Sequence, residues 1–298
     1  MDNICHTLVG VAASRAGLNA RTRLATATLA ISANLPDIDV LAFATGIPPV
    51  ALRRGWTHGV LAQLVLPLLF ALVMRAWARR KGPPADLRWL IALSYIGVFS
   101  HVFLDYLNTY GVRLLMPFSS EWFYGDAVFI VDPWLWLALG IGAFFSRRGH
   151  RAPARAGLAI ATLYIAAMLV SARAARSIVE QRWVDAIGSP PLKLMVGPVP
   201  FNPLRKTIIV DGGDRYLRGT FAWYPRDLRF DPRDVPKNDR SPLVERARQQ
   251  EPDFNAILVW SRFPYWRFEP GGGTTTVLLN DLRFPERQTT FGASTTLR

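Results

Sequence analysis

Apolar residues crowd the first 175 positions in blocks parted by arginine clusters, and the block lengths predict the elements. Gly59 to Ala78 carries one charge in twenty residues, enough to cross the hydrocarbon core of a bilayer as a helix. Trp89 to Leu107 predicts a second span, Val128 to Phe145 a third, and Gly157 to Ala172 a shorter fourth. Ile4 to Leu18 and Leu24 to Phe43 are weaker, the latter interrupted by Asn34-Leu35-Pro36-Asp37-Ile38-Asp39. These two read as half-depth or tightly packed helices buried against the others, because irregular backbone is not tolerated facing lipid. The N-terminus lacks a basic n-region, so no cleavable signal peptide is expected.

Beyond Ala172 the pattern changes. Arg173 to Ile187 reads as an amphipathic connector, followed by a proline-rich linker from Pro190-Pro191 to Pro200. From Lys206 onward β-branched and aromatic residues alternate with polar ones, as strands require. Lys206–Val210 and Tyr216–Phe221 flank Asp211-Gly212-Gly213-Asp214, a hairpin turn in which glycine reaches positive φ without penalty. Ala256–Trp260, Tyr265–Phe268 and Thr274–Leu279 are further strand candidates. The expected fold is mainly α: a polytopic transmembrane helical bundle over residues 1–175, a connector over 176–195, and a small β-rich extramembrane domain over 196–298.

Composition narrows the class. Charged residues make up 19% of the chain, against about a quarter in ordinary soluble domains. The single cysteine, Cys5, excludes an internal disulfide framework and a cysteine-rich zinc site. The net charge of +13 would suit nucleic acid if it formed one patch, but it sits in loops flanking the spans. No nucleic-acid partner is expected. Twelve basic residues fall in three alternate connections: Arg15, Arg21 and Arg23; Arg75, Arg79, Arg80, Lys81 and Arg88; Arg147, Arg148, Arg151 and Arg155. The intervening connections hold only Arg53, Arg54 and Arg113. The positive-inside rule places the first set in the cytoplasm of a bacterial-type inner membrane, and with it the N-terminus and C-terminal domain outside.

That map, drawn from lysine and arginine alone, brings the remaining ionisable residues to one side. His6, Asp37, Asp39, His58, His101, Asp105 and Asp132 all fall at the outer ends of their segments. His101 and Asp105 are four apart, hence on one helix face, and an ionisable residue in an apolar segment needs a partner or a ligand. Imidazole and carboxylate both bind a divalent metal, most economically Zn²⁺. The competing reading is a buried His–Asp hydrogen bond that only pins helices. Asp37 and Asp39 beside Pro36 suit cation binding or local backbone capping. Asp132 precedes Pro133 and reads equally as a helix cap, with Asp126 a weaker site candidate. His58 follows Thr57 at the start of a span, and His150 belongs to a solvated basic loop. Asp37 or Asp39 can serve as general base, and Arg53, Arg54 and Arg113 can bind phosphate.

Taken as a set, His6, Pro36-Asp37-Ile38-Asp39, Trp56-Thr57-His58-Gly59, Ser100-His101-Val102-Phe103-Leu104-Asp105 and Asp132-Pro133 resemble the YdjM-like family of membrane-bound metal-dependent hydrolases. More remotely, the order His, Asp, His, then His-x-x-x-Asp is similar to zinc-dependent phospholipase C. The resemblance implies His6, Asp37, His58, His101 and Asp105 as metal ligands, Asp105 bridging two ions, with Asp39 or Asp132 completing a smaller site. No second His-x-x-x-Glu follows, which departs from a trinuclear cluster. The expected activity is hydrolysis of a phospholipid or other phosphoester at the membrane interface. A scaffold with structural His–Asp pairs and a cation or proton transporter are the alternatives.

Overall fold

The computed structural model describes residues 1–44, 52–80, 82–284 and 292–297. Lys81 and residues 45–51, which entered the charge map, lie outside the described residues. The chain divides into two compact units. The first comprises Met1–Asp39, Arg54–Ser171 and Pro198–Pro203; the second comprises the described residues of Val40–Arg53, Ala172–Gly197 and Leu204–Arg298.

The first unit is helical. Helix α1 (Asn3–Arg15) starts where Asp2 caps it, the carboxylate accepting from the amides of Ile4 and Cys5 at 3.0 and 3.1 Å. The short α2 (Ala25–Ser32) follows, then a 3-10 stretch, Leu35–Ala44, in the segment where the sequence pattern was interrupted. Helices α3 (Val60–Arg80) and α4 (Leu87–Tyr106) are each long and apolar enough to cross a membrane, as is α6 (Ala152–Ile187). The third predicted span is shorter than expected: α5 covers only Pro133–Ser146. At about 1.5 Å per residue its 14 residues reach about 21 Å, short of the roughly 30 Å hydrocarbon core. Asp132 and Pro133 open the helix, and the preceding segment crosses the end of α4, where the amides of Ala127 and Val128 donate to Leu107 O. The predicted fourth span and amphipathic connector form one helix, the 36-residue α6.

Two close approaches set the helix packing. A Cβ on Gly10 of α1 would sit 2.6 Å from the Leu29 carbonyl oxygen of α2, and one on Gly97 of α4 would overlap Ser32 Oγ. Only glycine permits α2 to lie against both neighbours. The core beside them gathers Met1, Cys5, Ala12, Leu104, Leu107, Leu135 and Leu139 from α1, α4 and α5.

The second unit carries the sheets. Strands β1 (Lys193–Val199), β2 (Asn202–Asp211), β3 (Arg215–Trp223) and β4 (Arg226–Phe230) follow in order, and β5 (Val235–Pro236) also pairs with β3. The predicted hairpin is present: Asp211 pairs with Tyr216, Gly213 takes φ 109°, and its amide donates to Asp211 Oδ1 at 3.0 Å. A second antiparallel sheet joins β6 (Pro264–Gly271), β7 (Thr274–Asp281) and β8 (Gly292–Leu297). Between the sheets in sequence lie α7 (Pro242–Gln250) and α8 (Asp253–Trp260). Ala256–Trp260, expected as a strand, is therefore helical. Phe254, Ile257 and Trp260 are buried at three-residue spacing, so one helical face, rather than alternation, buries the apolar run.

Lys206 is an outlier in this unit. Its side chain is 0% exposed, on the same strand face as buried Ile208 and Val210, and Nζ makes no hydrogen bond among the described residues. Burial lowers its pKa to about 8. The folded state thus disfavours the charged form that the unfolded chain keeps up to about 10.4. The unfolded state binds more protons between these values, so stability rises with pH across that window and the full penalty applies below it. Lys206→Met is expected to raise the stability of the sheet by about 3 kcal/mol at pH 7. Hydrogen exchange of the β2 amides in the full-length protein should show the gain shrinking from pH 8 to 10.

Candidate metal centre

Four ionisable side chains meet at one end of the helical unit: Asp37 from the 3-10 stretch, His58 just before α3, and His101 and Asp105 one turn apart near the end of α4. All are buried, and one ligand atom from each lies within 4.8 Å of the others. His58 Nε2 and His101 Nε2 are 3.2 Å apart; Asp105 Oδ2 lies 3.4 Å from the first and 3.7 Å from the second. Asp37 Oδ1 is 3.8 Å from His101 Nε2. Two ligands on a tetrahedral zinc ion with bonds of about 2.0–2.1 Å are separated by about 3.3 Å, so these edges are those of a coordination polyhedron.

The protons strengthen the case. His101 Nδ1 is 2.8 Å from the Ala33 carbonyl, which can only accept, so Nδ1 carries the hydrogen and Nε2 presents a lone pair. Gly97, one turn earlier on α4, permits the approach of Ala33. Asp39 Oδ2 accepts from Thr57 Oγ1 at 3.1 Å, which leaves that hydroxyl oxygen to accept from His58 Nδ1 at 3.0 Å. The same carboxylate oxygen takes the Arg54 amide at 2.7 Å. His58 therefore also presents Nε2 as a lone pair. Two lone pairs face each other at 3.2 Å beside two carboxylates, an arrangement capable of holding a divalent cation.

Asp105 is fixed from behind. Arg54 reaches it with Nε at 2.7 Å from Oδ2 and Nη2 at 3.0 Å from Oδ1, while Nη1 donates to Asn108 Oδ1 at 3.0 Å. The Met1 α-amino group also contacts Asp105 Oδ1. Arg54 stacks on Tyr110, with 4.5 Å from Cζ to the ring centroid.

The other predicted residues take varied places. His6 stacks on His101, centroids 3.8 Å apart, with Nε2 at 3.3 Å from Asp105 Oδ1; neither of its ring nitrogens makes a hydrogen bond among the described residues. It adjoins the group of four. Asp39 lies behind His58. Asp132 is outside the cluster: its carboxylate caps α5 through the amides of Trp134 and Leu135 and accepts from Tyr164 Oη at 3.0 Å. Of the three arginines, Arg54 and Arg113 are buried, Arg113 over Trp122 at 5.0 Å, and Arg53 is half-buried. Sequence reasoning missed Asn108, Tyr110, the Ala33 carbonyl and the part of Thr57 in orienting His58. The spacing of Asn108 three residues after Asp105 was a usable signal; a backbone carbonyl offers none.

Over residues 1–175, more than half of its length, the sequence matches the family described as YdjM inner membrane protein. The chain belongs to that family. The uncharacterized protein YfhP of Bacillus subtilis (strain 168) is 31% identical over 113 residues, 38% of this chain and 33% of that protein. The inner membrane protein YbcI of Escherichia coli (strain K12) is 37% identical over 98 residues, 32% of this chain and 54% of that protein. The matches thus span between a third and about half of these relatives. No solved structure matches this YdjM-family chain. Family membership and the three apolar helices support a multi-pass location in a bacterial inner membrane.

Orienting groups behind a metal ligand typically govern affinity by about 10–100-fold. Thr57→Val removes the acceptor that fixes the His58 tautomer. If the cluster holds a divalent metal, the variant is expected to bind it more weakly by about that factor in competition with a chelator, with the helical content unchanged.

Proposed function

We propose that the protein is an integral-membrane, metal-dependent hydrolase of phosphoesters carried by membrane lipids or lipid-linked intermediates. The observation that carries this reading is the pair of Nε2 lone pairs held face to face between Asp37 and Asp105. The donor set, two imidazoles and two carboxylates, suits Zn²⁺ among divalent ions. In this reading His58, His101 and Asp105 hold the ion. When bound there, it lowers the pKa of a coordinated water from about 16 towards about 7 and polarises a phosphoryl oxygen.

The chain's own residues do the rest. Asp37, the most loosely spaced of the four, accepts the proton of the attacking water. Its two oxygens allow that role beside the fourth corner of the polyhedron. Asp39 is a positioning residue: with Oδ2 given to Thr57 and the Arg54 amide, it orients His58. Arg54 likewise holds Asp105. Arg113 supplies guanidinium charge for the phosphate. His6 stacks on His101 and closes the apolar side of the cluster. Water adds to phosphorus, the phosphorus–oxygen ester bond breaks, and the leaving oxygen takes up a proton. The charge asymmetry of the loops supports a site on the non-cytoplasmic side.

Metal analysis of the purified protein, joined to hydrolysis of bis(4-nitrophenyl) phosphate, tests these roles. His58→Ala and His101→Ala should lose both metal and turnover. Asp37→Asn should keep the metal and lose about 10²–10⁴-fold in kcat, the usual worth of a general base. Wild-type protein that binds no divalent ion under any loading condition would overturn the proposal.

A further inference from the structure

The turn over residues 114–118 does not belong to the metal cluster, yet it is laced to it. Val60, the first residue of α3, donates its amide to Leu114 O at 2.9 Å, and Arg113 donates to Arg54 O at 2.9 Å. Gly59 leaves no room for a Cβ beneath Met116 O. Within the turn the amides of Phe118 and Ser119 donate to Leu115 O at 2.8 and 3.1 Å. This well-anchored strap nevertheless turns its largest apolar groups outward: Phe118 is 78% exposed and Leu115 44%. Trp56, two residues before His58, is 61% exposed, and Ile38, between Asp37 and Asp39, is 48% exposed.

Burying such side chains is worth roughly 1.5–3 kcal/mol each, so a rigid loop that displays them has an apolar partner. Continuity identifies it. The strap is bonded to the first residue of α3, whose exposed face begins at once with Leu61, Leu64 and Val65, the surface a membrane-crossing helix gives to lipid. The backbone bond from Val60 to Leu114 thus joins the strap to the start of that exposed apolar flank. Arg113, the residue before the strap, brings a guanidinium group of the sign that the anionic phosphate layer of a bilayer attracts.

We infer that the strap tipped by Phe118 and Leu115 inserts into the bilayer interface and presents the metal cluster to lipid phosphates in the plane of the membrane. The inference deepens the phosphoester reading above and rests on it for its catalytic consequence, while the insertion itself stands on the geometry. It makes the strap a specificity element: lipid-borne esters depend on it, soluble ones do not.

The depth of the strap is measurable without any activity. In full-length Cys5→Ala protein reconstituted in phosphatidylglycerol–phosphatidylcholine vesicles, a nitroxide on Phe118→Cys should collide with dissolved oxygen more than with an aqueous nickel chelate. A nitroxide on Glu121→Cys should show the reverse. Equal nickel access at the two positions would overturn the inference. The double variant Leu115→Asp/Phe118→Asp should release headgroup from phosphatidylglycerol at least about tenfold more slowly while hydrolysing bis(4-nitrophenyl) phosphate within about twofold of wild type. Equal loss on both substrates would overturn the specificity role. Strap insertion with no hydrolysis of either ester by wild-type protein would instead sink the enzymatic reading and leave the insertion standing.

Discussion

The helical unit is organised around a repulsion that its own hydrogen bonds create. His58 and His101 are each given an acceptor at Nδ1, a threonine oxygen in one case and a backbone carbonyl in the other. Both imidazoles are thereby held with Nε2 lone pairs aimed at one point, beside two carboxylates, in a place with little water to screen them. Asp105 has Arg54 and the Met1 α-amino group as partners, so what favours a further cation at that point is the setting of both tautomers toward it. Had the pairs served only to pin helices, either Nε2 could carry a proton toward Asp105 and the cluster would satisfy itself. The orientation groups deny it that solution.

Much of the fold is explicable as what keeps those rings in place. Gly97 brings α2 against α4 so that Ala33 reaches His101, and Gly10 brings α1 against α2 so that His6 stacks on the same ring. Asp2 fixes the start of α1 and Asp132 the start of α5, each within a few residues of the cluster or of the segment covering it. Arg54, with its amide on Asp39 and its guanidinium on Asp105, ties the two carboxylates to one residue. A single shift of the Arg54 backbone would disturb both imidazole support and carboxylate aim, which makes the site a unit rather than a set of independent ligands.

The sequence pattern revealed the helical class, the long spans and the β2–β3 hairpin because each rests on local periodicity or turn chemistry. It also brought His58, His101, Asp105 and Asp37 to one side through charge bias alone. What it could not separate was role. Asp132 and Asp37 look alike as acidic residues beside proline, yet one accepts from the first amides of α5 and the other lies in the cluster, a difference decided by where α5 begins. The third span was overestimated because Val128–Val131 is as apolar as the helix it precedes, though it packs across the end of α4. Ala256–Trp260 was misread for a related reason: its β-branched and aromatic content favours strands, while its burial spacing is helical. Arg54 was read as a phosphate binder since charge is visible in a sequence and its partner Asp105, 51 residues away, is not.

On the hydrolase reading proposed above, the position of the cluster answers competing demands in a membrane. Water must reach the ion, which argues against the middle of the bilayer, while a lipid ester must present its phosphate without leaving the leaflet. The ends of α3 and α4 meet both conditions, because polar backbone is tolerated only where the hydrocarbon stops. His58 occupies a turn there, Asp37 a 3-10 stretch and Asp105 the last turn of an α-helix. Ionisable residues at this depth cost less to bury than at the midplane, and the 3-10 stretch and the strap can expose apolar side chains beside charged ones. A transporter would need such residues to continue across the membrane. Among the described residues the buried histidines and carboxylates of the helical unit gather at one end, leaving none along the remaining length of α3 and α4. Such a distribution suits chemistry at a surface, as the proposed reading requires, better than conduction along a path.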